Sequence, residues 1–253
     1  FEQAYGVRKY AGESGLDGSP SPAEPMTRNT IFDMASLTKV LATAPAIMQL
    51  YQEGKLQFDD PVAKYLPAFA VNGKQNVTIR ELLTHYAGLP PDVSLKDAWG
   101  LAAPDKAEGI RRAMNSTLTT TPGTHFEYSD INFIVLGALV EKLTGEPLDV
   151  YAETNIFNPL HMTNTRFLPF AKVCGTVKIY GSAISLPSPH GHSTRCVDDQ
   201  WAAEDWLPQI APTAHDDQGT PATNPDFDRL LRGTVDDPTT RRMGGVAGEA
   251  GVF

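Results

Sequence analysis

The 253-residue chain has few cysteines, a shortage of positive charge and no long apolar run. Each shortage closes off a class of protein. Two cysteines, Cys174 and Cys196, can close one loop with a disulfide, but they do not make a disulfide scaffold and do not fix the compartment. Lys and Arg number 21 against 30 Asp and Glu, for a net charge of −9 and no basic cluster, which argues against nucleic acid and anionic membrane as partners. The longest stretch without a polar side chain, "FIVLGALV" at 133–140, is far too short to cross a bilayer. There is no G-x-S-x-G, so no nucleophile elbow, and no G-x-G-x-x-G or P-loop string, so no cofactor is implied. No repeats and no signal peptide are visible. The chain opens on Phe1 in strand-like sequence, which reads as a missing N-terminal segment and leaves the cellular address open.

What is present is ordinary for a globular protein: 41% apolar and 20% charged residues, with length enough for a sizeable core. The opening "FEQAYGVRKY" alternates as a strand does, and a Gly/Ser/Pro-rich loop follows through Pro25. Leu37, Val40, Leu41, Ala44, Ile47, Met48 and Tyr51 recur at helical spacing, predicting a helix over about 34–53 that Gly54 stops and Pro45 kinks or locally opens. "DDPVAKYLP" reads as a short helix starting at Pro61, and Thr78 with Glu81 has capping-box spacing. A strong apolar helix is predicted over 130–144, closed by Gly145, and a shorter one over about 148–156. Residues 171–225, rich in Pro, Gly, Ser, His and Asp, read as an inserted excursion with one strand-like stretch at 175–185.

Ser36 and Lys39 lie three residues apart at the start of the first long helix, hence on one face. A serine hydroxyl is a weak nucleophile and needs a base, and lysine serves when its surroundings lower its pKa. The spacing alone recurs by chance in a chain of this size, where an exposed helix end with a solvated lysine is the commoner meaning. Tyr128 and Asp130 stand just before a second helix and Asn132 inside it. A tyrosine placed against the pair could relay a proton to a leaving group, and Asp130 or Asn132 could hold the lysine and orient a substrate. Taken singly, Tyr128 is a core-edge tyrosine and Asp130 a helix N-cap.

The three stretches "FDMASLTKVLATAPAIMQLYQEGKLQFDDPVAKYLP", "VTIRELLTHYAGLP" and "PGTHFEYSDINFIVLGALVEKLTGEPL" in this order resemble the serine β-lactamase and penicillin-binding-protein superfamily. The likeness is to its class C β-lactamase-like branch, with D-alanyl-D-alanine carboxypeptidases and family VIII carboxylesterases. It covers about residues 1–168 and resumes near the end of the chain. It implies one β-lactamase-like α/β (α+β) domain over 1–253, with a helical part packed on a mainly antiparallel sheet that is incomplete in this chain. It also implies Ser36 as acylated nucleophile, Lys39 as proton acceptor and Tyr128 as second acid/base residue. Asp130, where many lactamases have Asn, and Asn132 would orient lysine and substrate, with His85 and Gly88 supporting the fold nearby. The family's further Lys-Thr-Gly or His-x-Gly strand is expected beyond Phe253, and Glu249 stands where relatives often carry His.

The activity expected is hydrolysis of carboxylic esters through an acyl-enzyme on a small-molecule substrate, with β-lactam or D-Ala-D-Ala peptide hydrolysis as the alternative. A non-catalytic binding module is the reading from another class. His190, His192 and Cys196 could bind zinc with one more ligand, but a polar turn-rich loop is the simpler meaning and no metal is expected. The paired aspartates of "HDDQG" and "VDDP" read as solvated turns. Trp99, Trp201 and Trp206 suit core or loop packing better than an acyl pocket.

Overall fold

The computed structural model describes residues 3–180, 183–185, 196–197 and 199–253. Strand β1 (Val7–Lys9) pairs antiparallel with β2 (Glu24–Pro25). The buried Lys9 ammonium holds the loop between them, donating to the carbonyls of Tyr10, Glu13, Ser21 and Pro22 at 2.8–3.4 Å. Charge is satisfied here by backbone dipoles rather than by a carboxylate.

The helix predicted over 34–53 is built in three pieces. A 3-10 turn, Ala35–Leu37, leads into a π-helical turn, Lys39–Thr43, and then into α1 (Ala44–Gln52). Pro45 explains the break, because it offers no N–H to the preceding turn and crowds it. The widened turn closes instead with the Ala44 N–H on the Lys39 carbonyl. α1 buries Ala46, Ile47 and Leu50. Pro61 precedes a 3-10 turn, Val62–Lys64, and a second one spans Pro67–Ala70. Helix α2 (Ile79–Leu83) starts on the predicted capping box, with Thr78 and Glu81 bonding reciprocally to each other's backbone.

α3 (Lys106–Asn115) was not legible as an apolar repeat; Asp105 caps it and Glu108 pairs with Arg111 and Arg112. α4 (Asp130–Thr144) is apolar around almost its whole circumference because α1, α2, α3 and α5 (Leu148–Ala152) all pack on it. A π turn, Glu153–Phe157, continues α5, so the helix predicted over 148–156 also changes its winding part-way.

Beyond residue 168 a second, smaller core gathers Leu168, Trp201, Leu207, Ile210, Val235 and Phe253. β3 (Val173–Cys174) runs parallel to β6 (Trp201–Ala202), and β4 (Lys178–Tyr180) with β5 (Ala183–Ser185) forms an antiparallel hairpin within the predicted 175–185 stretch. The short α6 (Ala203–Trp206) and α7 (Pro238–Arg242) complete this part. The fold thus mixes helices with small sheets. Among the described residues there are three two-stranded pairings, two of them antiparallel, in place of one continuous sheet. Cys174 and Cys196 are joined in a disulfide.

Two expectations need correcting. Asp216 of "HDDQG" is buried, ion-paired to Arg241 at 2.9 Å and hydrogen-bonded by Asn224 at 3.0 Å. Asp237 of "VDDP" is the N-cap of α7. Both aspartates are sequestered because each meets a donor that water would otherwise have to replace. Trp201 is a core residue, its indole N–H donating to the Pro169 carbonyl at 2.9 Å, while Arg112 lies over the ring of Trp99 and Arg166 over that of Trp206.

Candidate active site

Ser36 lies exposed in the 3-10 turn, and the residue before it is strained: Ala35 has φ +45°, a left-handed conformation that costs an L-residue about 1–2 kcal/mol. Asp33 holds that conformation, its Oδ1 accepting from the Ala35 N–H at 2.8 Å. One turn on, Lys39 is buried, only 4% exposed. Its Nζ donates to Ser36 Oγ at 3.0 Å and to the Glu249 carbonyl at 3.1 Å, and pairs with Asp130 Oδ1 at 2.6 Å. The same Nζ lies 5.0 Å from the centre of the Tyr128 ring and 5.7 Å from that of Phe133. Burial pulls the Lys39 pKa down, but hydrogen bonding and charge from Asp130 and Tyr128 outweigh it, and the pKa ends above the ordinary lysine value. At neutral pH this amine is therefore charged.

Tyr128 is half exposed and rests on His85, the rings stacked with centroids 4.6 Å apart and Phe126 edge-on to the same imidazole at 5.9 Å. His85 Nδ1 accepts from the Ser129 backbone N–H at 3.1 Å and faces Asn132 Nδ2 at 3.1 Å. Burial, with Lys39 nearby, lowers the His85 pKa, so the ring is neutral and the proton belongs on Nε2. Gly88 turns the chain beside Thr120: its φ is +73°, and a Cβ there would lie 2.3 Å from the Thr120 carbonyl oxygen.

Of the residues singled out in the sequence, Ser36, Lys39, Tyr128 and Asp130 therefore come together. Asn132 does not reach the open side; it is buried and faces His85. His190 and His192 lie outside the described residues, and Cys196 is committed to its disulfide. Among the described residues no group of three or more His, Cys, Asp or Glu is arranged to hold a metal.

Sequence reasoning missed the wall behind Lys39. Residues 246–253 lie across the helix that bears Ser36: Thr43 Oγ1 donates to the Gly248 carbonyl at 2.7 Å, the Val252 N–H donates to Thr38 Oγ1 at 3.1 Å, and the Met34 N–H to the Val252 carbonyl at 2.9 Å. Gly248 is required for this approach, since a Cβ would fall 1.8 Å from the Phe133 carbonyl oxygen. Asp92 and Asp237 add carboxyls nearby. Burial pushes Asp92 up to about 6 even though it accepts from Thr239 Oγ1 at 2.7 Å, and burial also raises Asp237. Arranged this way, the site offers a hydroxyl on an ammonium, a phenol beside it and a carboxylate to receive a proton, the parts an acyl transfer needs.

The Beta-lactamase family profile matches residues 5–191, well over half of the sequence. The chain belongs to that family. Relatives named "Putative D-alanyl-D-alanine carboxypeptidase" are 38% identical over 181 residues in Escherichia coli K12 and 37% over 184 residues in Salmonella schwarzengrund. Each match takes in 68% of this chain and 41% of the relative, so the chain spans about two-fifths of the length of the relatives it matches. Among solved structures, an octameric penicillin-binding protein homologue from Pyrococcus abyssi aligns over 90% of this chain and 43% of its own, with TM-score 0.57 and 23% identity. FmtA from Staphylococcus aureus aligns over 96% and 53%, with TM-score 0.56 and 20% identity. These two likenesses concern the fold. The chain thus has the β-lactamase and penicillin-binding-protein fold.

Proposed function

We propose that Ser36 is the acylated nucleophile of a serine hydrolase acting on D-alanyl-D-alanine-type peptides or β-lactams. The observation that carries the reading is the contact of Lys39 with both Ser36 and Asp130. In this scheme Lys39 passes a proton to Asp130 and takes the one on Ser36 Oγ as that oxygen bonds to the substrate carbonyl. The carbonyl–nitrogen bond then breaks, and Tyr128, facing solvent on its His85 platform, protonates the departing amine. Water later splits the acyl-Ser36 ester: the Tyr128 phenolate takes its proton, Lys39 returns one to Ser36 Oγ as that oxygen leaves, and Asp130 hands its proton back to Lys39. Asn132 acts as a positioning residue, through His85, on Tyr128. The substrate class is supported by the names of the relatives; the residue roles rest on the geometry.

A second reading, hydrolysis of neutral carboxylic esters, draws support from the carboxyls of Asp92, Asp130 and Asp237 around a single amine, which disfavour a substrate carrying its own free carboxylate. The full chain, incubated with a fluorescent penicillin, an acyl-D-Ala-D-Ala peptide and a p-nitrophenyl ester, separates the two. Ser36→Ala is expected to abolish covalent labelling and turnover on whichever substrate the wild type takes. Equal turnover by Ser36→Ala would remove Ser36 as nucleophile.

A further inference from the structure

Glu249 has a side chain that the scheme above leaves unused. It is wholly buried, at 0% exposure. One oxygen, Oε1, accepts from Thr240 Oγ1 at 2.7 Å; the other, Oε2, is buried with no hydrogen-bond partner among the described residues. Thr240 also gives its backbone N–H to Asp237 Oδ1 at 2.7 Å, so Glu249 is moored to the capped first turn of α7. Its own backbone is fixed on the other side, where Gly248 presses on α4 and its carbonyl holds Thr43. Between these two anchors the Glu249 carbonyl points at Lys39 Nζ.

The charges around Glu249 are known from each packed element. From α7 comes Asp237; from the start of α4, Asp130; from the nucleophile helix, Lys39. Asp92 stands behind Asp237. Arg241 and Arg242 turn away, to Asp216 and to the carbonyls of Asp97 and Trp99. Among the described residues the one cation facing Glu249 is therefore already engaged with Asp130 and Ser36, and an ionised carboxylate here would be shut from solvent with no counter-charge of its own.

We propose that Glu249 is an uncharged positioning residue for Lys39: its acid group pegs the 246–253 segment to α7, so that its carbonyl holds the amine while Asp130 remains the lysine's only anionic partner. The proposal rests on Ser36 and Lys39 being the reacting pair. Burial and the neighbouring Asp237 push the Glu249 pKa well above the usual carboxylate range, as an uncharged acid requires. Ionising it would set a second anion beside Lys39 and lock the proton on the amine.

Two measurements on the full chain test this, one of them independent of activity. The first is thermal stability against pH. A folded-state pKa raised above the unfolded value means the native state holds a proton that the unfolded chain releases, so stability is lost as pH climbs above about 4.5 toward the folded value. The Tm advantage of Glu249→Gln over wild type is therefore expected to grow between pH 5 and pH 9; an advantage constant across that range overturns the uncharged acid. The second is acylation by fluorescent penicillin or p-nitrophenyl ester. Glu249→Leu is expected to slow it about tenfold or more at pH 7, with Glu249→Gln restoring most of the rate and extending activity to higher pH than wild type. Wild-type labelling with no difference among the three proteins overturns the positioning role. Absence of labelling in wild type speaks against the Ser36 reading, while the Tm series still decides the state of Glu249.

Discussion

Two buried lysines in different regions of the molecule show what sets the charge of an amine here. Lys74, fully buried between the turn at Pro67–Ala70 and the end of α3, meets no carboxylate among the described residues: its Nζ donates to the carbonyls of Val71, at 2.9 Å, and Ser116, and lies 5.2 Å from the centre of the Phe69 ring. Burial has no opposing carboxylate to work against, and the Lys74 pKa falls below the ordinary value. Lys39 is almost as buried, but Asp130 stands 2.6 Å away and its pKa rises. The amine beside the exposed serine is thus the one whose charged form its surroundings favour. It rests as a proton donor to Ser36; in the proposed scheme it becomes an acceptor only by yielding a proton to its neighbour, so base strength belongs there to the pair and not to the lysine alone.

The comparison breaks first at Lys39 itself. Lys39→Met removes the acceptor and leaves Asp130 unpaired, and a fall of about 10²–10⁴ in the acylation rate is expected, read with a covalent label. Asp130→Asn is the sharper experiment, because it makes Lys39 resemble Lys74. The lysine pKa should drop, so the neutral amine is present at lower pH and the acid limb of the pH–rate profile moves down; a limb that stays in place would assign the proton to Tyr128 instead. Removing one partner of a buried pair costs about 3–5 kcal/mol, and the partial exposure of Asp130 puts this substitution at the lower end. The raised Lys39 pKa also means that its pairing stabilises the fold below about pH 10 and is lost above the folded value, a loss that Asp130→Asn should flatten. The smallest effect is expected at Lys74. Lys74→Met relieves a buried charge but leaves two carbonyls unpaired, offsetting terms of about 1–3 kcal/mol each. Wild-type stability should rise with pH as Lys74 sheds its proton, so the Tm difference between Lys74→Met and wild type should tilt against the variant toward pH 10.

Local chemistry made the helical part and the reacting cluster readable. The capping box at Thr78 and Glu81, the apolar helix behind Asp130 and the i, i+3 placement of Ser36 and Lys39 each follow from a few neighbouring residues, and the structure has all three. Pro45 foretold a disturbance in the helix that bears Ser36 but not its form, a π turn. What stayed hidden depends on distant partners. α3 has a mostly polar sequence; a cap and Glu108 ion pairs mark it locally, but its narrow buried face of Gly109, Ala113 and Met114 is explained only by the packing on α4. Asp216 reads as solvated until Arg241 and Asn224 are brought to it. Glu249 stands out in sequence only as an acid where relatives often carry His, and nothing local says that packing closes over it.

The carbonyl that grips Lys39 lies 210 residues further along the chain. Contacts that distant form late in folding, since the closure of a long loop is costly before other contacts reward it. During synthesis the helix bearing Ser36 leaves the ribosome long before residue 249 does, and domains fold as they emerge. On the proposed reading of Ser36, the serine therefore stays unarmed until residues 246–253 have followed it out and set the amine in place.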